Sequence, residues 1–260
     1  MYARPSGIVT LTTDLGAYGP GVTALRGAVV KGGGRPSLVD IGLDVPPGDV
    51  AAGAFALWSA MDAFPEGTAH LGVVADAVPG SGRLLAAAAR RQYWLAPDNA
   101  LLGAVIAADE RAEVRVIDTM HLGLAQRAER CSGCSVLGSV AALLSSGRYG
   151  FRAIGRLVDD FDGRDLVFGG GTRVVHVDRS GGIVTNARLS GTGGLSGTGG
   201  DVVEVDGREV PLRRGVYEAG PGEVVAFVGA LGLLEIGLAG GSAADVLGIS
   251  MGDEISVVSP

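Results

Sequence analysis

The chain has 260 residues, enough for one large domain or two of ordinary size, and 47% of them are hydrophobic while only 5% are aromatic. The core is therefore expected to consist of aliphatic side chains. A net charge of -7, with 21 Lys and Arg residues scattered along the chain, argues against a nucleic-acid-binding protein. No apolar run reaches the roughly 20 residues that span a bilayer, and no signal peptide is evident at the N-terminus, so a cytoplasmic protein is expected.

The first predicted element is a strand over 8–13, which ends at Asp14. A glycine-rich loop follows, and Val22, Leu25 and Val29 are then spaced for one face of a helix. Ligands of α/β proteins bind at the carboxyl edge of the sheet, and an ionised Asp can accept hydrogen bonds from both hydroxyls of a ribose. The pattern therefore indicates a ribose contact for Asp14, although a helix-capping role is an equally good interpretation.

The first 155 residues alternate between strands and helices. Strands are predicted at 8–13, 38–41, 69–74, 92–95 and 114–117, and helices at 21–31, 49–63, 99–108 and 134–146. This alternation predicts an N-terminal α/β domain with a mostly parallel sheet flanked by helices.

The pattern changes after residue 155. Residues 156–172, rich in Asp and Gly, are predicted to be a linker. Short strands separated by glycines are then predicted at 173–178, 182–188, 201–205, 223–228 and 233–237. Residues 173–260 are therefore expected to form a smaller antiparallel β-barrel domain.

Cys131 and Cys134 are the only cysteines and form a CxxC motif where a helix is predicted to begin. A helix N-terminus stabilises a thiolate, so dithiol redox chemistry is chemically sensible. The pair lacks the four ligands of a structural zinc site, although His121 could supply a third. A structural disulfide or two inert thiols is the simpler interpretation, and no metal or cofactor is predicted.

A series of different short motifs is spread along nearly the whole chain. They are Thr12-Thr13-Asp14-Leu15-Gly16, Val39-Asp40-Ile41, Val45-Pro46-Pro47-Gly48-Asp49-Val50, Phe64-Pro65-Glu66-Gly67-Thr68-Ala69-His70, Ala96-Pro97-Asp98-Asn99-Ala100-Leu101-Leu102, Val177-Asp178-Arg179, Thr185-Asn186, Gly232-Leu233-Leu234-Glu235-Ile236 and Met251-Gly252-Asp253. In these motifs the chain resembles the S-adenosyl-L-methionine hydroxide adenosyltransferases, the family that also contains the fluorinase and chlorinase enzymes.

The resemblance implies an α/β domain, a small β-barrel and a homotrimer. It places the nucleoside between the N-terminal domain of one subunit and the C-terminal domain of the next. Enzymes of this family use water or halide to displace methionine from the 5′ carbon of the ribose. S-adenosyl-L-methionine is thus expected as the substrate rather than as a cofactor, and substrate contacts are implied for Asp14, Asn99, Asp178 and Asn186.

The sequence departs from the family at the catalytic positions. An Asp and an Arg that orient the attacking water fall at Ala75 and Gly82 in a gapless register, or at Asp76 and Arg83 after a slide of one residue. Ser132 stands where the family has a His, and a serine cannot replace an imidazole as a base. The Tyr that halogenases carry at the Asp position is absent, so a halogenase is not expected.

The C-terminal half departs as well. The segment from Asp178 to Gly182 lacks the Phe and Asn of the family motif, and Gly229-Ala230 replaces an Asn-Ser pair that helps to bind adenine.

The sequence therefore predicts a divergent S-adenosyl-L-methionine hydrolase that forms adenosine and L-methionine. Asp76, Arg83 and Ser132 are its predicted catalytic residues. The alternatives are a non-catalytic nucleoside-binding homologue and a CxxC thiol-redox protein. The position of Asp76 relative to Asp14 is the feature that distinguishes the first two.

Overall fold

Parallel strands form most of the sheet in the first half of the computed structural model, which describes residues 2–75, 82–124, 133–188 and 202–258. The strands are β1 (Ile8–Thr13), β2 (Ser37–Gly42), β3 (Ala69–Val73), β4 (Leu84–Ala89), β5 (Gln92–Pro97) and β6 (Glu113–Val116). Their order is β2-β1-β3-β5-β4-β6, and only β4 runs antiparallel to its neighbours. The predicted mostly parallel sheet is confirmed.

Helices cover both faces of this sheet. They are α1 (Pro20–Gly32), α2 (Val50–Ser59), α3 (Gly103–Ala107) and α4 (Cys134–Ser145). Alternate residues of β3 show the two faces: Leu71 and Val73 join the core formed with α1 and α4, whereas Gly72 faces Leu57 and Leu101 on the other side. The carboxyl ends of β1, β2, β3 and β5 therefore meet at one edge between two helical layers, as expected for a ligand site.

Two predictions for this half were incomplete. Strand β4 was missed, because its four alanines favour helix in isolation and only pairing with β5 and β6 makes them extended. Helix α3 is shorter than the predicted 99–108, because Asn99 forms a turn that delays the start of the helix.

The second half is antiparallel. Its elements are β7 (Val174–Val177), β8 (Ile183–Thr185), β9 (Val202–Val205), β10 (Arg208–Pro211), β11 (Val224–Val228), β12 (Leu234–Leu238), α5 (Ala243–Leu247) and β13 (Val257–Val258). They form the sheets β11-β12-β8-β7 and β10-β9-β13 around one core of aliphatic residues. Isolated bridges between Leu212 and Ala226 and between Arg173 and Glu254 join the edges of the two sheets. The predicted antiparallel second half is confirmed, whereas a closed barrel is not seen among the described residues.

The chain divides into two compact units, Met1–Leu166 and Val167–Pro260. The division falls inside the predicted linker, 156–172. The first part of that segment pairs with β6, since Val158 donates its backbone N–H to Val114 and Leu157 forms a bridge with Arg115. Within the described ranges, no helix is long and apolar enough to cross a membrane.

Candidate functional site

Asp14 lies at the carboxyl end of β1 and ties together two neighbouring loops. Its Oδ2 atom accepts hydrogen bonds from the backbone N–H of Gly48, at 2.9 Å, and of Ala75, at 3.0 Å. These loops follow β2 and β3, so one carboxylate oxygen organises three strand ends. The capping interpretation of Asp14 is wrong, because α1 begins after Gly19 and has no side-chain cap.

The second oxygen of Asp14 has a different environment. Within the described parts of the chain, Oδ1 accepts no hydrogen bond, although the residue is partly buried. A carboxylate held through one oxygen presents the other in a fixed position, where it can accept a hydrogen bond from a hydroxyl of a ligand.

Ala75 contributes its main chain to this site. The residue has a φ of 55°, in the left-handed region that non-glycine residues rarely adopt. Its N–H points to Asp14 in this conformation. Asp76, the alternative candidate for the family's acid, lies outside the described residues.

Asn99 supports the same sheet edge from β5. Its side-chain amide donates to the carbonyl oxygen of Val74, at 2.9 Å, and its Oδ1 accepts from the N–H of Leu101, at 3.4 Å. Both ends of the amide are thus used within the protein. In this structure Asn99 holds the end of β3, and with it Ala75, in place.

Arg83 is held by two acidic residues. Its Nε donates to Oδ2 of Asp98 at 2.8 Å, and Nη1 lies 3.1 Å from Oδ2 of Asp160. The Asp98 side chain is only 4% exposed, and its Oδ1 accepts from the N–H of Asp162 at 2.8 Å. The hydrogen bond with Asp98 is the main cause that raises the pKa of Arg83. The arginine therefore attaches residues 160–162 to the end of β5.

Asp98 lies at the same carboxyl edge of the sheet, and it is not among the site residues predicted from the sequence. The signal was present, since Asp98 directly precedes Asn99 at the end of a predicted strand. Ser132, the third predicted catalytic residue, lies outside the described residues, as does Asp76.

Asp178 lies in the turn between β7 and β8. Its Oδ1 accepts from the N–H and hydroxyl of Ser180, both at 2.7 Å, and from the N–H of Gly182 at 2.9 Å. Burial raises the pKa of Asp178, but these hydrogen bonds outweigh it, so the pKa lies below its usual value. Asp178 is consequently an anion that lines a pocket of the second unit.

Asn186 follows β8 and joins two backbone segments. Its Oδ1 accepts from the N–H of Arg173 at 2.9 Å, and its Nδ2 donates to the carbonyl oxygens of Val167, at 2.9 Å, and Gly171, at 3.1 Å. The observed contacts of this predicted ligand residue thus stabilise the start of the second unit.

Cys134 is the first residue of α4, is fully buried and is disulfide-bonded. Cys131 lies outside the described residues. A buried Cys134 in a disulfide agrees with the structural interpretation of this pair. Within the described residues, no group of three or more His, Cys, Asp or Glu side chains could hold a metal ion.

The first unit is an α/β fold with Asp14 at the carboxyl edge of its sheet, where such folds bind ligands. The second unit is a small antiparallel β fold. Residues 9–155 match the family model described as the SAM hydroxide adenosyltransferase N-terminal domain, and residues 172–256 match that of the C-terminal domain. The chain therefore belongs to the SAM hydroxide adenosyltransferase family, which confirms the resemblance found in the sequence.

Curated relatives align along nearly their full length. A protein from Thermus thermophilus named (R)-S-adenosyl-L-methionine hydrolase is 29% identical over 259 residues, which cover 94% of this chain and 96% of the relative. A protein of the same name from Salinispora tropica is 29% identical over 266 residues, with 98% and 99% covered.

Solved structures share the fold. The crystal structure of a conserved protein from Thermotoga maritima has a TM-score of 0.85 at 25% identity, and covers 96% of this chain and 100% of its own. The crystal structure of a conserved hypothetical protein from Thermus thermophilus has a TM-score of 0.77 at 28% identity, with 96% and 99% covered.

Proposed function

We propose that this protein hydrolyses S-adenosyl-L-methionine to adenosine and L-methionine. The observation that carries the proposal is the match to the family across both units, together with relatives of that name that align from end to end. The sequence prediction of a divergent hydrolase agrees with it.

The reaction requires positioning more than acid catalysis. The oxygen of a water molecule attacks the 5′ carbon of the ribose as the bond from that carbon to sulfur breaks. The electron pair of this bond goes to the sulfur, so the sulfonium leaves as the neutral thioether of methionine, and the water loses one proton to solvent. A leaving group that departs neutral needs no strong acid, so alignment and desolvation supply most of the rate.

In this proposal Asp14 holds the ribose. Its Oδ1 accepts from a ribose hydroxyl, while Oδ2 keeps the carboxylate in place through Gly48 and Ala75. Asn99 and Asn186 act indirectly, by holding the end of β3 and the start of the second unit, and Asp178 contacts the substrate from the second unit. Asp76, Arg83 and Ser132 orient the attacking water.

The proposal includes the assembly and location that the resemblance implies. The protein is a homotrimer, with each site formed by the first unit of one subunit and the second unit of the next. It acts in the cytoplasm on a small-molecule nucleoside.

One observation favours a non-catalytic nucleoside-binding homologue as a second candidate. Arg83, the family's arginine in one of the two possible registers, is already bound to Asp98 and Asp160 within the protein. The residue that contacts the Asp14 carboxylate is Ala75, whose side chain has no carboxyl group that could orient a water molecule.

The test is incubation of the purified protein with S-adenosyl-L-methionine, followed by chromatography for adenosine and methionine. Asp14→Asn is expected to raise KM about tenfold, because a neutral amide replaces a charged acceptor while its carbonyl can still bind the two N–H groups. Asp62→Asn, at an aspartate with a side chain 82% exposed, is the matched control and should behave as the wild type.

The outcomes separate the two candidates. Product above the level without protein, with the expected loss in Asp14→Asn, supports the hydrolase. Calorimetric binding of the substrate without product supports the binding homologue, and neither binding nor product contradicts both.

A further inference from the structure

Arg83 and Asp160 form an ion pair at the carboxyl edge of the sheet in the first unit. Nη1 of Arg83 lies 3.1 Å from Oδ2 of Asp160, and Nη2 donates to the backbone carbonyl oxygen of the same residue. Arg83 directly precedes β4 and lies opposite Asp98, whose backbone N–H donates to the carbonyl oxygen of Arg83 at 3.1 Å. The ion pair therefore lies where the end of β5 meets the start of β4, at the edge where α/β proteins bind ligands.

The two acids that hold Arg83 differ in what they leave available. The Asp98 side chain is only 4% exposed, and its two oxygens are occupied by Arg83 and by the N–H of Asp162. The Asp160 side chain is 64% exposed, and among the described residues only Arg83 donates to its carboxyl group, through Oδ2. Asp98 thus fixes the guanidinium group, which in turn fixes Asp160 and leaves Oδ1 of Asp160 available as an acceptor.

Asp160 and Asp14 belong to the same edge of the sheet. In the strand order β1-β3-β5-β4, Asp14 follows the end of β1 and Arg83 precedes the start of β4. Three strand spacings of about 4.8 Å separate these two points, which gives about 14 Å. This edge has room for a ribose bound by Asp14, with its 5′ carbon and one water molecule on the side of Asp160.

We propose that Asp160 is a catalytic residue of the hydrolysis, whose Oδ1 accepts a hydrogen bond from the attacking water. The inference rests on the proposed function. The water oxygen forms its bond to the 5′ carbon as the carbon–sulfur bond breaks, the electron pair of that bond leaves with sulfur, and one proton of the water passes to solvent. Asp160 supplies the carboxyl group that the side chain of Ala75 lacks, and the hydrogen bond aims a lone pair of the water at the carbon.

The test measures the steady-state kinetics of S-adenosyl-L-methionine hydrolysis by the full-length protein. Asp160→Asn should lower kcat about 100-fold, because a neutral amide is a weaker acceptor and can turn its N–H groups toward the water. KM should stay within about twofold, since Asp160 contacts the water and not the substrate. Asp159→Asn, the same charge change at the neighbouring exposed residue, is the matched control and should behave as the wild type.

Thermal unfolding establishes that each variant is folded before its kinetics are measured. A kcat of folded Asp160→Asn within twofold of the wild type overturns the inference, while turnover by the wild type still upholds the proposed function. An equal loss in Asp159→Asn overturns it as well, because the effect would then follow the charge of the segment. A higher KM with an unchanged kcat also overturns it, because Asp160 would then bind the substrate. A wild type without turnover rejects both the inference and the proposed function.

Discussion

His70 shows how burial changes the chemistry of a single residue. It is fully buried in β3, stacks on Trp94 with ring centroids 3.9 Å apart, and its Nδ1 lies 2.8 Å from the hydroxyl of Thr10. Burial lowers the pKa of His70 from 6.5 to about 3, and Gln92 opposes this in part. The imidazole is therefore neutral in the folded protein and has a structural role.

Stability should consequently fall as the pH drops below 6.5. The unfolded chain binds a proton at His70 near pH 6.5, but the folded chain does so only near pH 3, so proton binding stabilises the unfolded state between these values. Because of His70, the free energy of unfolding should fall by about 1.4 kcal/mol when the pH is lowered from 7.5 to 5.5. Urea unfolding of the wild type and of His70→Phe measures this as the difference between their pH slopes. Parallel slopes would contradict the assigned neutral histidine.

Helices α1 and α4 pack closely against each other, because small residues lie at their contact. A Cβ atom at Gly138 of α4 would lie 2.8 Å from Cβ of Ala28 and 3.0 Å from the carbonyl oxygen of Leu25. By contrast, a Cβ atom at Gly27 of α1 would meet nothing within 4 Å. The two glycines lie in helix interiors, but only Gly138 is required by the packing.

The two glycines should respond oppositely to substitution by alanine. Gly138→Ala should lower the free energy of unfolding by about 1–3 kcal/mol, because the added methyl group forces the helices apart. Gly27→Ala should raise it by about 0.5–1 kcal/mol, because alanine loses less conformational entropy in a helix. Denaturant unfolding measures both, and a stabilised Gly138→Ala would show that the helices can separate without cost.

At the scale of the whole molecule, the proposed function depends on assembly into a homotrimer. A site shared between subunits requires oligomerisation for activity, and cyclic assemblies of identical chains bring different surfaces of each chain together. Neither unit needs to hold all of the substrate in that arrangement.

Light scattering after gel filtration should therefore give a mass of about 78 kDa, three times the 26.1 kDa of one chain. Dilution that dissociates the trimer should abolish turnover in parallel with the loss of mass. A fully active species of 26.1 kDa would contradict the shared site and leave hydrolysis to a single chain.

The sequence by itself determined the α/β class, the antiparallel second half and the position of Asp14 at the carboxyl edge. Each of these depends on local periodicity or on motif order, which a linear pattern records. Strand β4 escaped this reasoning because its alanines become extended only by pairing with β5 and β6.

Only the tertiary structure decided what the predicted site residues contact. Arg83 meets Asp160, 77 positions away, and Asp14 meets Ala75, 61 positions away, and no local pattern encodes such pairs. Contacts between residues that are distant in the sequence determine the hydrogen-bond partners and pKa values of the site. The chemistry of the site therefore depends on the folded chain.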